Sequence, residues 1–439
     1  MTTRQERAQE RFRDRLDNGS IEISGQGVSS LPRTPETARE VLQSDEFFLH
    51  LGRDIARAGL VAERGNGIVT WLVGTSRIFS NPLNIIIKGS SGTGKNFMAK
   101  TVLKFFPGEE VVRASSLSQR SMNYVGRDTL AHKIFYVDEI GSVRTSHPAR
   151  QLISEGCITH HVSVNEKGKW ASKEIITAGP VACITTTTAT ALAIDDETRN
   201  LSVWIDESYA QTIRIAKRIA MDRPPIAPER LAMWHEVQRS IGSVSSVPIA
   251  LPPWIVTLVE RWLPNGDVRI RRLWPAFLAA VKTVCLVRKG WRGKKQIERL
   301  GGLTVDFEDF AIATHIFDRT IAQTLGRSGR DEDLATAEIV DQVAQSGIYV
   351  NGVSAGDLVG HSGIRSHDQA YRRLRRAALA GTIIQSNLRE KNNEKRYMRS
   401  PEAAFLGDPL MIVRKLGLKI GGTYIHPLTG AICCYGKDE

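Results

Sequence analysis

Cysteine is scarce in this chain: five occur in 439 residues, none in a Cys-x-x-Cys pair. That scarcity excludes a disulfide framework and a paired-thiolate zinc site, and leaves the adjacent Cys433 and Cys434 as incidental. His160 and His161 have no Cys or acid at ligand spacing, so they read as strand residues rather than metal ligands. Long apolar runs are missing too. None reaches the roughly 18 residues of a membrane span, and the N-terminal Met-Thr-Thr-Arg-Gln-Glu-Arg is charged with no apolar segment behind it. The expectation is a cytoplasmic protein with no membrane partner. Acidic residues fall short of basic ones, 47 against 59, for a net charge of +12. An excess of that size favours a polyanionic partner, although charge alone does not separate DNA from RNA.

What is present is enough apolar residue, 41%, for two or three domains around a large core. The chain is organised around Asn84-Ile-Ile-Ile-Lys-Gly89-Ser90-Ser91-Gly92-Thr93-Gly94-Lys95-Asn96-Phe97. An apolar strand, Leu83–Ile87, runs into a glycine-rich turn and then into an amphipathic helix, Phe97–Phe105. In the pattern G-x-x-x-x-G-K-[ST] the glycines let the backbone curl so that successive N–H groups point at phosphate oxygens; the helix dipole and the lysine add positive charge. Gly89, Gly94 and Lys95 fit the pattern. Asn96 stands where Ser or Thr normally ligates Mg²⁺, and its amide oxygen can still face a hard cation directly or through water. The reading is an ATP and Mg²⁺ cradle made by residues 89–97.

The remaining elements follow in order. Residues 1–35 are a polar arm, and 36 to about 79 carry helices packed in front of the nucleotide core. Ile134–Val137 followed by Asp138 and Glu139 reads as a buried parallel strand ending in two acids, where ligands bind in such sheets. Asp138 would join the metal shell and Glu139 would polarise the attacking water. Residues 149–155 read as a helix. Two β-type runs, 158–164 and 170–176, flank a polar tip with Lys167 and Lys169, either a solvated turn or a grip on a phosphate backbone. Val181–Thr188 is a strand ending in hydroxyls. Thr186 or Thr187, one residue apart in register, would orient the lytic water. Arg199 lies between the acids 195–197 and another strand, so it serves either a local salt bridge or the charge on a transferring phosphoryl group.

The C-terminal third gives a helix at 335–346, a second near 353–360, a third over 366–381 and a small hairpin. That order suggests a winged helix-turn-helix. From Arg372 to Arg399 nine basic residues meet two acids, a net +7. Arg372, Arg373, Arg375 and Arg376 would face a major groove, with Lys395 and Arg396 on the wing near phosphates. A protein-binding winged helix is the other reading.

Phosphate loop, Asp-Glu strand, basic hairpin, threonine strand and Arg199, in that order, resemble the AAA+ ATPases. The hairpin ahead of the threonine strand resembles the branch of minichromosome-maintenance and phage or mobile-element helicases and primase-helicases. The resemblance covers about residues 60–320. It implies a helical lid in which Arg271, or failing that Arg272, contacts the γ-phosphate, and assembly into a homo-oligomer, a hexamer. The expected architecture is α/β: an AAA+ P-loop domain with a parallel sheet (36–225), a helical lid (226–325), a winged helix (335–400) and an appendage (401–439). The expected activity is an ATP-dependent, ring-forming DNA helicase or translocase. The alternative is a non-unwinding ATP switch that assembles on DNA and recruits partners.

Overall fold

The computed structural model describes residues 35–114, 130–138, 157–166, 169–189, 199–207, 209–222, 224–262, 269–325, 336, 339, 340, 343, 353–361, 363–379, 383–385, 396–399, 406, 409–418 and 420–435. Three helices open the described chain: α1 (Ala38–Gln43), α2 (Phe47–Arg57) and α3 (Arg64–Thr75). A reciprocal capping box starts α1: Glu40 N–H donates to Thr37 Oγ1 at 3.2 Å and Thr37 N–H to Glu40 Oε2 at 3.2 Å. The apolar stripe of α2 and the nearly all-buried α3 pack on each other beneath an aromatic cluster, with Trp71 lying 5.6 Å from Phe47 and 6.1 Å from Trp234.

The sheet follows. Strands β1 (Ile85–Lys88), β2 (Val111–Ala114), β3 (Lys133–Val137), β6 (Val181–Thr187) and β7 (Leu201–Trp204) are parallel, in the order β2-β3-β6-β1-β7. Every residue of β1 and β6 is buried, as continuous apolar strands covered on both faces must be. The chain leaves β1 through α4 (Lys95–Leu103) toward β2 on one side, while β7 lies on the other. That divergence opens a crevice at the C-terminal end of β1, where ligands bind in open α/β sheets. Strands β4 (Cys157–Glu166) and β5 (Lys169–Ala178) stand apart as an antiparallel hairpin between β3 and β6, paired from Cys157↔Ala178 to Glu166↔Lys169.

Beyond β7 come α5 (Tyr209–Ala220), α6 (Pro228–Gly242), β8 (Ile249–Ala250), α7 (Trp254–Trp262), α8 (Ile270–Lys289), α9 (Lys294–Arg299), β9 (Leu303–Thr304) and α10 (Phe307–Thr324). Buried Asp54 of α2 ties down α6, accepting from Trp234 Nε1 at 2.9 Å and Arg230 Nε at 2.5 Å. The basic end of α8 meets the acidic start of α10: Lys289 lies 2.7 Å from Asp306 and from Asp309, and Arg288 pairs with Asp306, Glu308 and Asp309. Each charge also opposes its helix dipole. At the sheet edge, Ser202 N–H of β7 donates to Thr324 Oγ1 of α10 at 2.8 Å, so an otherwise open strand edge is covered. One hydrophobic cluster runs through α1–α4, the sheet and α6–α10; the helices of 226–325 share their core with the sheet.

A separate, smaller cluster joins Ile339, Val340, Val343, Val353, Leu358, Ile364, Ala370, Leu374, Ala377, Ile383 and Tyr397. It holds α11 (His367–Leu379) against the hairpin of β10 (Ile383–Gln385) and β11 (Tyr397–Arg399). Residues 336, 339, 340 and 343 are helical. The second helix suggested by the sequence is not formed: residues 355–360 are successive turns, and Val353 bridges to Tyr397. Asp357 accepts from both the N–H and the hydroxyl of Ser354, and Gly356 and Gly360 favour turns over helix.

The last segment returns to the main core. It forms α12 (Pro409–Leu416) and a hairpin of β12 (Gly422–Ile425) and β13 (Ile432–Tyr435). Arg64 Nη1 donates to Leu428 O at 3.2 Å, the rings of Phe307 and Tyr435 lie 4.7 Å apart, and Leu406 N–H donates to Asp318 Oδ1 at 2.5 Å. Among the described residues no helix is long and apolar enough to cross a membrane.

Candidate nucleotide site

The Gly89–Gly94 turn is built as phosphate cradles are. Gly92 and Gly94 adopt φ of +81° and +94°, open to glycine and strained for other residues, and Gly94 caps α4. A Cβ on Gly89 would meet Thr93 Oγ1 at 2.8 Å, so the loop closes on itself only with glycine there. Lys95, almost fully buried, donates to Ser90 O at 2.5 Å, and Thr93 Oγ1 donates to the same carbonyl at 2.9 Å. Ser90 and Ser91 are exposed along the turn.

Strand register brings the rest of the crevice together. Ile87 pairs with Thr186, Lys88 with Thr187, and Val137 with Thr185. Asp138 is therefore level with Thr186 and the loop begins level with Thr188. Ile134, Tyr136 and Ile184 belong to the core cluster that includes α4, whereas Phe135, Val137 and Cys183 do not. The two-residue period thus assigns Asp138 and Thr186 to the α4 face and Thr187 to the other. Both threonines are buried, and Thr187 Oγ1 accepts from Ala189 N–H at 3.1 Å.

Asn96 sits one residue past the lysine with its Oδ1 buried and, among the described residues, without a hydrogen-bond partner. An orphaned buried acceptor beside a phosphate loop fits a hard cation or its water. One turn along α4, Lys100 Nζ lies 2.8 Å from Asp138 Oδ2. Burial and the Asp138 charge push the Tyr136 phenol upward, so it stays protonated beside that pair.

Glu207, just beyond β7, accepts from Ser90 Oγ at 2.9 Å and from Ser90 N–H. Its neighbourhood is fixed by Glu63, which accepts from Asp206 N–H at 2.7 Å and from Asn66 Nδ2, the latter also donating to Trp204 O at 3.1 Å. Burial holds the Glu63 carboxyl above its ordinary range. Phe97 is half exposed on α4 with its ring against Gly59.

Lys100 and Glu207 were not singled out by motif. Their signals were weak but present: Lys100 falls four residues after Asn96 on one helix face, and Glu207 closes β7 much as Asp138 closes β3.

Other candidates lie elsewhere. Leu201 pairs with Ile85, so Arg199 is level with Leu83, at the opposite end of β1 from the loop. At about 3.3 Å per residue that is roughly 20 Å along the sheet, beyond the reach of one arginine side chain. Arg271 and Arg272 are exposed in the first turn of α8. Arg372 and Arg375 are exposed on α11, and Arg373 is half-buried. A cleft of about 540 Å³ there is lined by Ser366, Gln369, Arg372 and Arg373. Arg376 lies on the same helix, and Arg396 sits 4.0 Å from Asp357. Lys169 opens β5 opposite Glu166. Glu139, Lys167, Lys395 and the expected helix at 149–155 fall outside the described residues.

A protein-family model described as the MTBMA_p00010 P-loop domain matches residues 67–230, the span from α3 through the sheet into α6. No curated protein matches the chain. Loop geometry, parallel sheet and family match together make this part of the chain an α/β P-loop domain of the NTPase kind, a fold that binds nucleotide with Mg²⁺.

Proposed function

We propose that this P-loop domain is the engine of an ATP-hydrolysing, ring-forming DNA helicase or translocase of the AAA+ type found in phage and mobile-element replication. The observation that carries the reading is the ten-rung hairpin β4–β5 set between the acid strand β3 and the threonine strand β6. A motor needs a lever coupled to its phosphates, and this one leads directly into β6, whose far end carries Thr186 and Thr187 to the crevice.

In that reading the loop N–H groups of residues 89–94 and the Lys95 ammonium hold the triphosphate. Asn96 Oδ1 and Asp138 hold Mg²⁺, which supplies charge neutralisation on the phosphates. Glu139 takes the proton of the attacking water, and Thr186 or Thr187 orients it. Phe97, half exposed on α4, would carry the nucleobase or ribose. Arg199, far from its own loop, serves the phosphates of a neighbouring copy. Arg271 completes the site from α8. Lys167 and Lys169 at the hairpin tip contact a single strand in a central channel. Support for duplex contact at a winged helix comes from the separate 339–397 cluster and from the arginines of α11, joined by Lys395 and Arg396 on the wing.

Strand displacement on a forked duplex tests the reading. Lys167→Ala with Lys169→Ala is expected to keep basal ATP hydrolysis and lose unwinding. A wild-type chain that hydrolyses ATP on DNA without displacing a strand would point instead to a switch that recruits partners.

A further inference from the structure

Between α8 and β9 the chain makes a short excursion that carries charge outward. It opens with a 3-10 turn, Gly290–Arg292, continues as α9 and returns at Gly302. Both ends are pinned to the segment that follows α6. A Cβ on Gly290 would lie 3.3 Å from Val244 Cγ2, and one on Gly302 would lie 2.6 Å from Pro248 O, the carbonyl that accepts from Leu303 N–H at 2.9 Å. Ile297, the one apolar residue of α9, is fully buried. The excursion is therefore held in shape by the core before any partner arrives, which lowers the ordering cost of binding.

Its outer surface is basic. Arg292, Lys294, Lys295 and Arg299 are exposed, with Glu298 the single acid among them, a local charge of +3. The cations just before, Arg288 and Lys289, are matched by Asp306, Glu308 and Asp309. The outer ones are not: Lys294 lies 3.9 Å from Glu298, and among the described residues Arg292, Lys295 and Arg299 form no ion pair. Lys294 and Lys295 also fill the first turn of α9, the end at which a helix disfavours cations. Stability does not account for these charges.

A ring stands beside them. Trp291 is 39% exposed, with the Arg292 guanidinium 5.9 Å from its ring centroid, whereas Trp71 and Trp234 are fully buried and Trp204, Trp254 and Trp274 half-buried. An open ring among guanidinium and ammonium groups suits a strand with unpaired bases: a base stacks on the ring while phosphates meet the cations. A duplex hides its base faces and would use the charge alone. An anionic membrane would need apolar residues outward along the helix. The outward positions of α9, 294–296, 298 and 299, are all polar, and Leu300 past its end is the exception.

We infer that Trp291, Arg292, Lys295 and Arg299 form a binding surface for single-stranded nucleic acid. It lies on other elements than the β4–β5 hairpin and α11, and binding there requires neither ATP hydrolysis nor strand separation, so it does not rest on the motor reading.

The test compares the full-length wild type with Trp291→Ala, Trp291→Phe and the double variant Lys295→Glu with Arg299→Glu. Fluorescence anisotropy on labelled oligothymidylate, oligouridylate and a blunt duplex is measured over a range of salt, with thermal melting and fluorescent-nucleotide binding as controls expected to match the wild type. Trp291→Ala is expected to weaken single-strand binding about tenfold and leave duplex binding unchanged, and Trp291→Phe to keep most of the affinity. The double variant should weaken single-strand binding and flatten the slope of log affinity on log salt by roughly 1.4, about 0.7 for each of two phosphate contacts. A preference for oligothymidylate or for oligouridylate supports the inference and identifies the strand. Were Trp291→Ala to melt early, the double variant, altered only at exposed side chains, decides alone. If the variants bind every oligonucleotide as the wild type does, the inference is overturned whether or not the wild type displaces strands. If the wild type displaces no strand but loses single-strand affinity through Trp291→Ala, the motor falls and this surface stands. Should the double variant bind oligonucleotides normally but no longer bind phosphatidylserine vesicles that the wild type binds, the surface is a membrane contact and the inference is again overturned.

Discussion

Lys100 Nζ lies 2.8 Å from Asp138 Oδ2, joining the helix that follows the phosphate loop to the acid that ends β3. Lys100 and Asn96 are one helical turn apart on α4, so the lysine and the orphaned Asn96 oxygen belong to the same helix face, where the metal shell is proposed. A lysine there compensates Asp138 when no divalent cation does, and competes with one that arrives.

Replacing that lysine should therefore favour the metal. Lys100→Met is expected to lower the Mg²⁺ concentration needed for half-maximal nucleotide turnover, whereas Asp138→Asn should raise it strongly. A Mg²⁺ titration of ATP hydrolysis reads both, and an unchanged midpoint in Lys100→Met would remove Lys100 from the metal site.

Asn96 makes a companion case. Asn96→Ala removes the one oxygen this position offers and should raise the Mg²⁺ concentration needed for half-maximal turnover by about tenfold or more. Asn96→Thr restores a hydroxyl and is expected to retain activity. Equal Mg²⁺ profiles for Asn96→Ala and the wild type would show that the side chain does not face the cation.

Glu207 places a negative charge against the loop that must receive a polyanion. Glu207→Gln keeps an acceptor for Ser90 and removes the charge, so nucleotide binding should tighten by roughly fivefold, as expected for one like charge a few ångströms away in a wet site. Glu207→Ala also removes the acceptor, and the freed loop should offset that gain. Fluorescent-nucleotide titration distinguishes the pair; weaker binding by Glu207→Gln would mean that the charge holds the loop rather than opposing the ligand.

Much of this crevice can be read along the chain because it is local. Gly89, Gly94 and Lys95 declare the loop within seven residues, and the apolar runs before Asp138 and through Ile184 declare buried strands by composition alone. The expected bounds lie within two or three residues of those observed. What stayed hidden is long-range. Ser90 and Glu207 are 117 positions apart, and nothing in either neighbourhood says which acid meets the loop. Helix α5 has an ordinary amphipathic pattern, and only the structure shows its apolar side turned outward. In the small domain, the apolar spacing of 353–360 suggests a helix, but Ser354 and Asp357 bond to each other and hold turns instead. The C-terminal hairpin also carried no motif, since it is held by backbone and ring contacts to distant helices.

Those contacts include a pH-sensitive pair. His315 of α10 lies 2.8 Å from Tyr424 Oη and stacks on His426 at 4.1 Å, and His426 Nδ1 accepts the N–H groups of Leu428 and Thr429. Burial, with the neighbouring His426 adding to it, pushes His315 down to about 4; burial lowers His426 too. Between about pH 6.5 and 4 the unfolded chain binds a proton that folded His315 refuses, so stability is full above that window and falls as pH drops through it. The loss approaches roughly 3 kcal/mol for this one group. Melting temperature against pH should therefore fall less steeply below pH 6.5 in His315→Gln than in the wild type, and parallel curves would exclude His315 as the cause.

The return of the chain to α10 has a mechanical consequence. The small domain departs after Leu325 and comes back where Leu406 meets Asp318, positions about 10 Å apart on one helix axis. It hangs like a bucket from a closed handle, not like a bead at the end of a string. A load on its basic helix is therefore transmitted through two anchorages to the very helix that seals β7, the strand whose far end grips the phosphate loop.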